Sequence, residues 1–133
     1  MGIKRKLAAA LVGAAVVVAV PTAAQAEDHG DGKTACNSGE ICFQFSWDGF
    51  STSTFQRHFW YSDSNHNDDV FGNVPNGNTS LLLADNAHGF WNRDTSCSVT
   101  LYVSTSYRNG YATIARGGKQ SISNWNQSHK RCA

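Results

Sequence analysis

Four cysteines and five histidines are the side chains of this 133-residue chain best suited to metal or redox chemistry, and one acidic run imitates a metal loop. Cys36, Cys42, Cys97 and Cys132 lie 6, 55 and 35 residues apart with no Cys-x-x-Cys pair, which does not resemble a zinc module. An even set of this kind reads as two disulfides in a chain that meets an oxidising compartment. Loop entropy does not choose among the three pairings: Cys36–Cys42 and Cys97–Cys132 contribute about 2.4 and 3.8 kcal/mol, and the crossed pairings slightly more. Asn37-Ser38-Gly39-Glu40 is a turn sequence able to fold Cys36 back beside Cys42, which favours the local pairing.

The other candidates point away from catalysis. His29, His58, His66, His88 and His129 sit in neither a nucleophile elbow nor a zinc-protease helix motif. Asp63-Ser64-Asn65-His66-Asn67-Asp68-Asp69 places oxygens at alternate positions like the start of an EF-hand loop. That loop needs Gly at its sixth position and Glu at its twelfth, where this chain has Asp68 and Val74. Asp68 and Asp69 imitate a glycosidase pair, yet neighbours in one polar loop more often face solvent. With no catalytic constellation legible, an enzyme is not expected.

These residues must be positioned by a small exported domain. Lys4, Arg5 and Lys6 precede fourteen apolar or glycine residues from Leu7 to Val20, and Ala24-Gln25-Ala26 closes the segment. This reads as a secretory signal peptide over 1–26; fourteen helical residues span only about 21 Å, short of a roughly 30 Å hydrocarbon core. The 107 residues that follow carry 8 Lys+Arg against 10 Asp+Glu, so the net charge moves from +1 to −2. That balance argues against nucleic acid, and the lack of a further apolar run argues against a membrane partner. The remainder is too short for a dinucleotide-binding or TIM-barrel enzyme and suits one secreted, extracellular, monomeric domain over 36–133, preceded by a flexible polar tail over 27–35.

Periodicity makes that domain all-β. Ile41, Phe43, Phe45 and Trp47 alternate with Cys42, Gln44, Ser46 and Asp48 in the manner of a half-buried strand. Val99, Leu101 and Val103 alternate likewise with Thr100, Tyr102 and Ser104; Tyr111 to Ala115 is a weaker run, and Leu81 to Ala84 a short buried one. Turn signals stand at Asp48-Gly49, Asn76-Gly77, Asn109-Gly110 and Gly117-Gly118. Short strands with frequent turns imply a β-sandwich or small barrel. The chain also looks weakly duplicated: each half runs from an apolar strand to an aromatic and a glycine, then to a polar segment, Ala84-Asp85-Asn86-Ala87 or Ser123-Asn124-Trp125-Asn126.

Three motifs together carry a resemblance. They are Cys42-Phe43-Gln44-Phe45 behind the short Cys36 loop, Asp85-Asn86-Ala87 followed by Trp91-Asn92-Arg93, and Thr95-Ser96-Cys97-Ser98-Val99-Thr100-Leu101-Tyr102 with Tyr107 to Gly110. The chain from Cys36 to Cys132 resembles the secreted actinobacterial peptidase-inhibitor family typified by the Streptomyces metalloproteinase inhibitor, whose fold is βγ-crystallin-like. The resemblance implies two Greek-key motifs in one domain, disulfides Cys36–Cys42 and Cys97–Cys132, and an extracellular protease, of the zinc-dependent kind, as partner. Crystallin-type calcium sites pair two Asn/Asp residues with later hydroxyls. Asp85 and Asn86 begin that pattern and Gly89 and Phe90 break it, so no cofactor is expected and calcium has only weak candidates there.

An inhibitor needs a loop that a protease accepts like substrate and cannot displace, hence a rigid scaffold. Asp94, Thr95, Ser96, Cys97, Ser98 and Val99 are the candidate, pinned through Cys97, although Val99 keeps the period of Leu101 and Val103 and so belongs to the core by alternation alone. Two other classes stay open. One is a cell-envelope or carbohydrate-binding module stacking sugars on Trp60, Tyr61, Trp91 or Trp125; the other is a killer-toxin-like antimicrobial protein, which the charge of −2 disfavours.

Overall fold

The computed structural model describes residues 13–16, 27–51, 54–72 and 79–133. Residues 1–26 apart from 13–16, read from the sequence as a signal peptide, the expected Asn76-Gly77 turn and Val74 lie outside the described residues. Seven strands form: β1 (Ile41–Gln44), β2 (Gln56–Phe59), β3 (Gly89–Asn92), β4 (Val99–Ser104), β5 (Arg108–Ile114), β6 (Lys119–Ser121) and β7 (Ser128–Arg131). They make two antiparallel sheets, ordered β2-β1-β3-β6 and β5-β4-β7, and the described residues contain no helix. Among them no helix is long and apolar enough to cross a membrane. Cys36 bridges Cys42 and Cys97 bridges Cys132, with Cα separations of 6.1 and 4.8 Å inside the usual disulfide range. Such bridges suit an oxidising, extracellular environment.

Both sheets contribute to one buried cluster. Ile41, Phe43, Phe59 and Phe90 come from the first sheet and Val99, Leu101 and Ile114 from the second, with Phe71, Leu83 and Ala87 from the connections. Phe43 is its centre, meeting Phe59 and Phe90 edge-on at 5.9 and 5.0 Å. Such ring pairs contribute about 0.5–1.5 kcal/mol beyond their area burial.

The first strand is not half-buried. All four residues of β1 are buried, because the face carrying Cys42 and Gln44 is covered as well. Registry places His58 beside Cys42 and Gln56 beside Gln44 on that second face, and the cover is made of loops held by polar bonds. Glu40, fully buried, accepts the amides of Asp31 and Asn37 at 2.7 and 2.6 Å and faces His58 Nδ1 at 3.3 Å. Asp28 accepts the amides of Trp60 and Tyr61 at 2.8 and 2.9 Å just beyond β2. Residues 27–31, which have no apolar anchor in the sequence, are therefore held by carboxylates. Gly30 has φ +60, and a Cβ there would overlap Glu40 Oε1 and come within 2.9 Å of His58 Cβ, so only glycine lets this segment lie so close.

Other expectations change for local reasons. The alternation written from Ile41 to Asp48 stops at Gln44, whose side-chain amide donates to Asp48 Oδ1 and Ser51 O and bends the chain; Trp47 is left 42% exposed. Asn109-Gly110 is inside β5 rather than a turn. The β4–β5 connection turns at Ser106 and Tyr107, both at positive φ, and the ladder shifts register at Leu101/Tyr102. Leu81 to Ala84 is not a strand: only Leu83 and Ala84 are buried, and Leu82 is 44% exposed. Gly117-Gly118 does turn, between β5 and β6, with the Gly118 amide donating to Ala115 O at 2.9 Å.

A histidine pair sits inside the apolar cluster. His66 Nε2 and His129 Nδ1 are 2.8 Å apart, and His129 Nε2 lies 2.9 Å from Tyr61 O. A carbonyl only accepts, so His129 carries its proton on Nε2, its Nδ1 accepts, and His66 donates from Nε2. Burial pushes His129 down to about 4, while burial and then the neighbouring His129 hold His66 well below the usual imidazole range. Both are neutral at neutral pH and pack on Phe43 and Phe59 as rings. Replacing His129 with Phe keeps the ring but strands Tyr61 O and the His66 N–H. Chemical denaturation is expected to show a loss of about 3 kcal/mol, against the near-neutral result that packing alone would give.

Candidate functional site

The loop between β3 and β4 is built from Asn92 and Asp94. Asn92, fully buried at the end of β3, donates from Nδ2 to Cys97 O and Ile114 O at 3.0 Å each and accepts the Asp94 amide at 3.0 Å. Asp94 then turns the chain by accepting the amides of Ser96 and Cys97 on Oδ1 at 2.8 and 3.0 Å, a side-chain substitute for a backbone turn. Arg131 of β7 closes on the same carboxylate, with Nε 2.5 Å from Oδ2 and Nη2 3.0 Å from Oδ1. This fork geometry is the strong form of an Arg–carboxylate pair.

Two further ties fix the loop from behind. Cys97 is buried and bridged to Cys132, and the Cys132 amide donates to Ser98 O at 3.0 Å. Arg116, in the β5–β6 turn, donates to Thr95 O at 2.9 Å. Thr95 and Ser96 are left as the exposed tip, beside an open depression of about 540 Å³ shared with Arg116 and Gly117. Of the six candidate residues the structure thus divides the set. Asp94 and Cys97 are buried supports, Ser98 is half-buried, and Val99 is fully buried in β4, where its period put it, so it offers nothing to a partner.

The electrostatics follow from these contacts. Burial works to raise the Asp94 carboxyl, but the Arg131 guanidinium and the Ser96 and Cys97 amides outweigh it and hold the group below the usual carboxylate range. The Asp94 hydrogen bond, opposed by partial burial, raises Arg131 in turn. Neither Asn92 nor Arg131 was marked by the sequence. A buried Asn two residues before an Asp, and an Arg beside a bridged cysteine, were the available signals.

The remaining sequence candidates are dispersed. Asp85 accepts from Gln127 Nε2 at 2.9 Å, tying its turn to the segment before β7, and Asn86 donates to Leu82 O and Ala84 O within that turn. Trp91 is half-buried, with Arg93 and Lys119 over its ring at 4.9 and 4.6 Å and Phe50 packed against it edge-on. Tyr61 and Trp125 are 66% and 64% exposed, while Trp60 is half-buried. His58 approaches Cys36 and Cys42 closely enough to share a metal, but those sulfurs are bonded to each other. His88 donates from Nδ1 to Phe45 O at 2.8 Å, and His29 lies 2.7 Å from Arg57 Nη1. Comparison with family models, with curated proteins and with solved structures finds no match.

Asp94 gives the loop a measurable acid limit. Its carboxyl is held below its unfolded value near 3.8, so its stabilisation is complete above that value and is lost as pH falls through the lower, folded one. Asp94→Asn is expected to cost about 2 kcal/mol at neutral pH. Urea unfolding from about pH 5 to about pH 2 should show a shallower acid loss in the variant than in the parent.

Proposed function

We propose that this chain is an exported, non-catalytic inhibitor of an extracellular zinc protease, working as a monomer through the Thr95-Ser96 tip, with no cofactor taking part at that tip. The observation that carries the reading is a two-residue exposed segment whose flanks are immobilised by Asp94, Arg131, Arg116 and the Cys97–Cys132 bridge. A segment already fixed before binding avoids about 0.5–1.5 kcal/mol of ordering cost per side chain. It can occupy a cleft without yielding the flexibility that cleavage and release require.

The finer fold belongs to the same reading: two Greek keys of βγ-crystallin type. Its support is that the residue directly after each polar segment of the weak duplication bonds back to a strand of its own half. His88 N donates to Gln44 O and Gln127 N to Tyr102 O, both at 2.9 Å. The segments also meet each other, Asp85 N donating to Asn126 O at 3.1 Å and Asn126 Nδ2 to Ala87 O at 3.3 Å. Export is supported by the two bridges and by the basic, apolar and small-residue order of residues 1–26. A second reading, cell-envelope or carbohydrate binding, rests on the exposed rings of Tyr61 and Trp125.

Titration of the disulfide-verified protein against a thermolysin-like enzyme is expected to abolish activity at stoichiometric amounts. Substituting Thr95 and Ser96 together with Ala should weaken inhibition at least about tenfold, some 1.4 kcal/mol, without moving the melting temperature. No inhibition at micromolar excess would sink the proposal. Retention on cell-wall polysaccharide that is lost in Tyr61→Ala or Trp125→Ala would promote the second reading instead.

A further inference from the structure

Five carboxylates converge where the polar loop after β2 meets residues 27 and 28. Asp63, Asp68, Asp69, Glu27 and Asp28 line one cleft of about 350 Å³. The two from the N-terminal side are engaged: Asp28 holds the Trp60 and Tyr61 amides, and Glu27 pairs with Arg57 and His29. The other three each bring one oxygen within 4.8 Å of the others. Asp63 gives Oδ1 to the Asn65 amide at 2.6 Å, and Asp68 gives Oδ2 to Asn65 Nδ2 at 3.3 Å.

Asp69 supplies a separate observation. It is 3% exposed, its Oδ1 accepts from Arg57 Nη2 at 2.7 Å, and its Oδ2 is buried with no hydrogen-bond partner. A buried carboxylate oxygen without a donor is costly, on the order of 1–3 kcal/mol or more. Arg57 does not meet the need: its Nη2 is shared among Asp69 Oδ1, Glu27 and the carbonyl of Asp28, and its Nε, also buried, bonds to nothing and so does not reach Oδ2. Burial, followed by the nearby Asp63, pushes the Asp69 carboxyl up to about 7 against the pull of Arg57, and burial together with Asp68 raises Asp63. The cluster has more negative charge than its surroundings balance.

We propose that Asp63, Asp68 and Asp69 bind a calcium ion, with Asp69 Oδ2 as the buried ligand. Calcium–oxygen bonds of about 2.3–2.6 Å allow two ligands of one ion to stand up to about 5 Å apart, which accommodates the 4.8 Å limit observed. Magnesium, at about 2.0–2.1 Å with near-octahedral demands, fits that spread less well. Three carboxylates leave room for the water and carbonyl oxygens that complete a six-to-eight-ligand shell. Arg57 stays on Oδ1, so the ion and the guanidinium bind opposite oxygens of one carboxylate.

The test uses protein produced from the complete sequence, stripped with chelator and titrated calorimetrically with calcium chloride and, separately, magnesium chloride. One saturable calcium site is expected in the submillimolar to millimolar range of extracellular modules, with magnesium weaker. The melting temperature should rise by about 5 °C between chelator and ~10 mM calcium. Asp68→Asn, at an exposed position whose carboxylate accepts from the Asn65 side chain, should lower affinity at least tenfold while melting as the parent does in chelator. Asp69→Asn should do the same but also loosen Arg57, so Asp68 is the cleaner variant. No saturable heat up to ~10 mM calcium, magnesium binding as tight as calcium, or calcium binding untouched by Asp68→Asn and Asp63→Asn would each overturn the site.

Discussion

Strand β2 imposes the constraint on which the first sheet depends. Gln56-Arg57-His58-Phe59 is fully buried although three of its four side chains are polar. A buried polar group destabilises the fold unless it is hydrogen-bonded, and a buried guanidinium does so strongly. Each side chain therefore recruits a loop. Gln56 donates to Ser51 O and accepts from His58 Nε2, His58 faces Glu40, and Arg57 reaches Asp69, Glu27, Asp28 O and Val70 O. The segments at 27–31, 36–40, 48–51 and 63–70 are thus placed by the polar requirements of three strand residues. The Cys36–Cys42 bridge then closes the 36–40 loop over the covered face.

This explains which parts were legible in the sequence. Val99 and Leu101 lie on a strand whose two faces differ, so alternation reported them correctly as core. β2 has no such contrast: its partners are loops rather than solvent, and a Gln-Arg-His triplet looks like surface until those loops are known. β3, Gly-Phe-Trp-Asn, is hidden similarly, with Phe90 in the core and Trp91 covered by Arg93, Lys119 and Phe50. β6 and β7 are short and polar, and β6 joins the first sheet only through long-range pairing with β3. Local pattern carries no information about such pairing.

The same limit applies to the sites. Asp94 and Cys97 were singled out because an exposed loop beside a bridge is legible, but the supports Asn92, Arg116 and Arg131 come from β3, the β5–β6 turn and β7. The acidic run 63–69 reads as a broken EF-hand loop because a linear motif tests spacing along the chain. In the fold, Asp63 is drawn in by an antiparallel bridge to His129 and Asp69 by Arg57, so the three carboxylates converge without that spacing.

Asp94 and Asp69 make the decisive comparison. They are the same residue type, each 3% exposed, each paired with an arginine. At Asp94 both oxygens are occupied, by Arg131 on two atoms and by two backbone amides, and the carboxyl is held low. At Asp69 one oxygen is occupied and the other has no partner, Asp63 and Asp68 stand close by, and the carboxyl is driven up. Their surface exposure is equal, but Asp69 lies deeper and its burial prevails, whereas at Asp94 the partners outweigh burial. The satisfied carboxylate is a structural post, whose effect is to hold Thr95 and Ser96 still. The unsatisfied one has a vacant acceptor in a cleft shared with Asp63 and Asp68, where the proposed calcium ion would give it what Arg131 and the amides give Asp94.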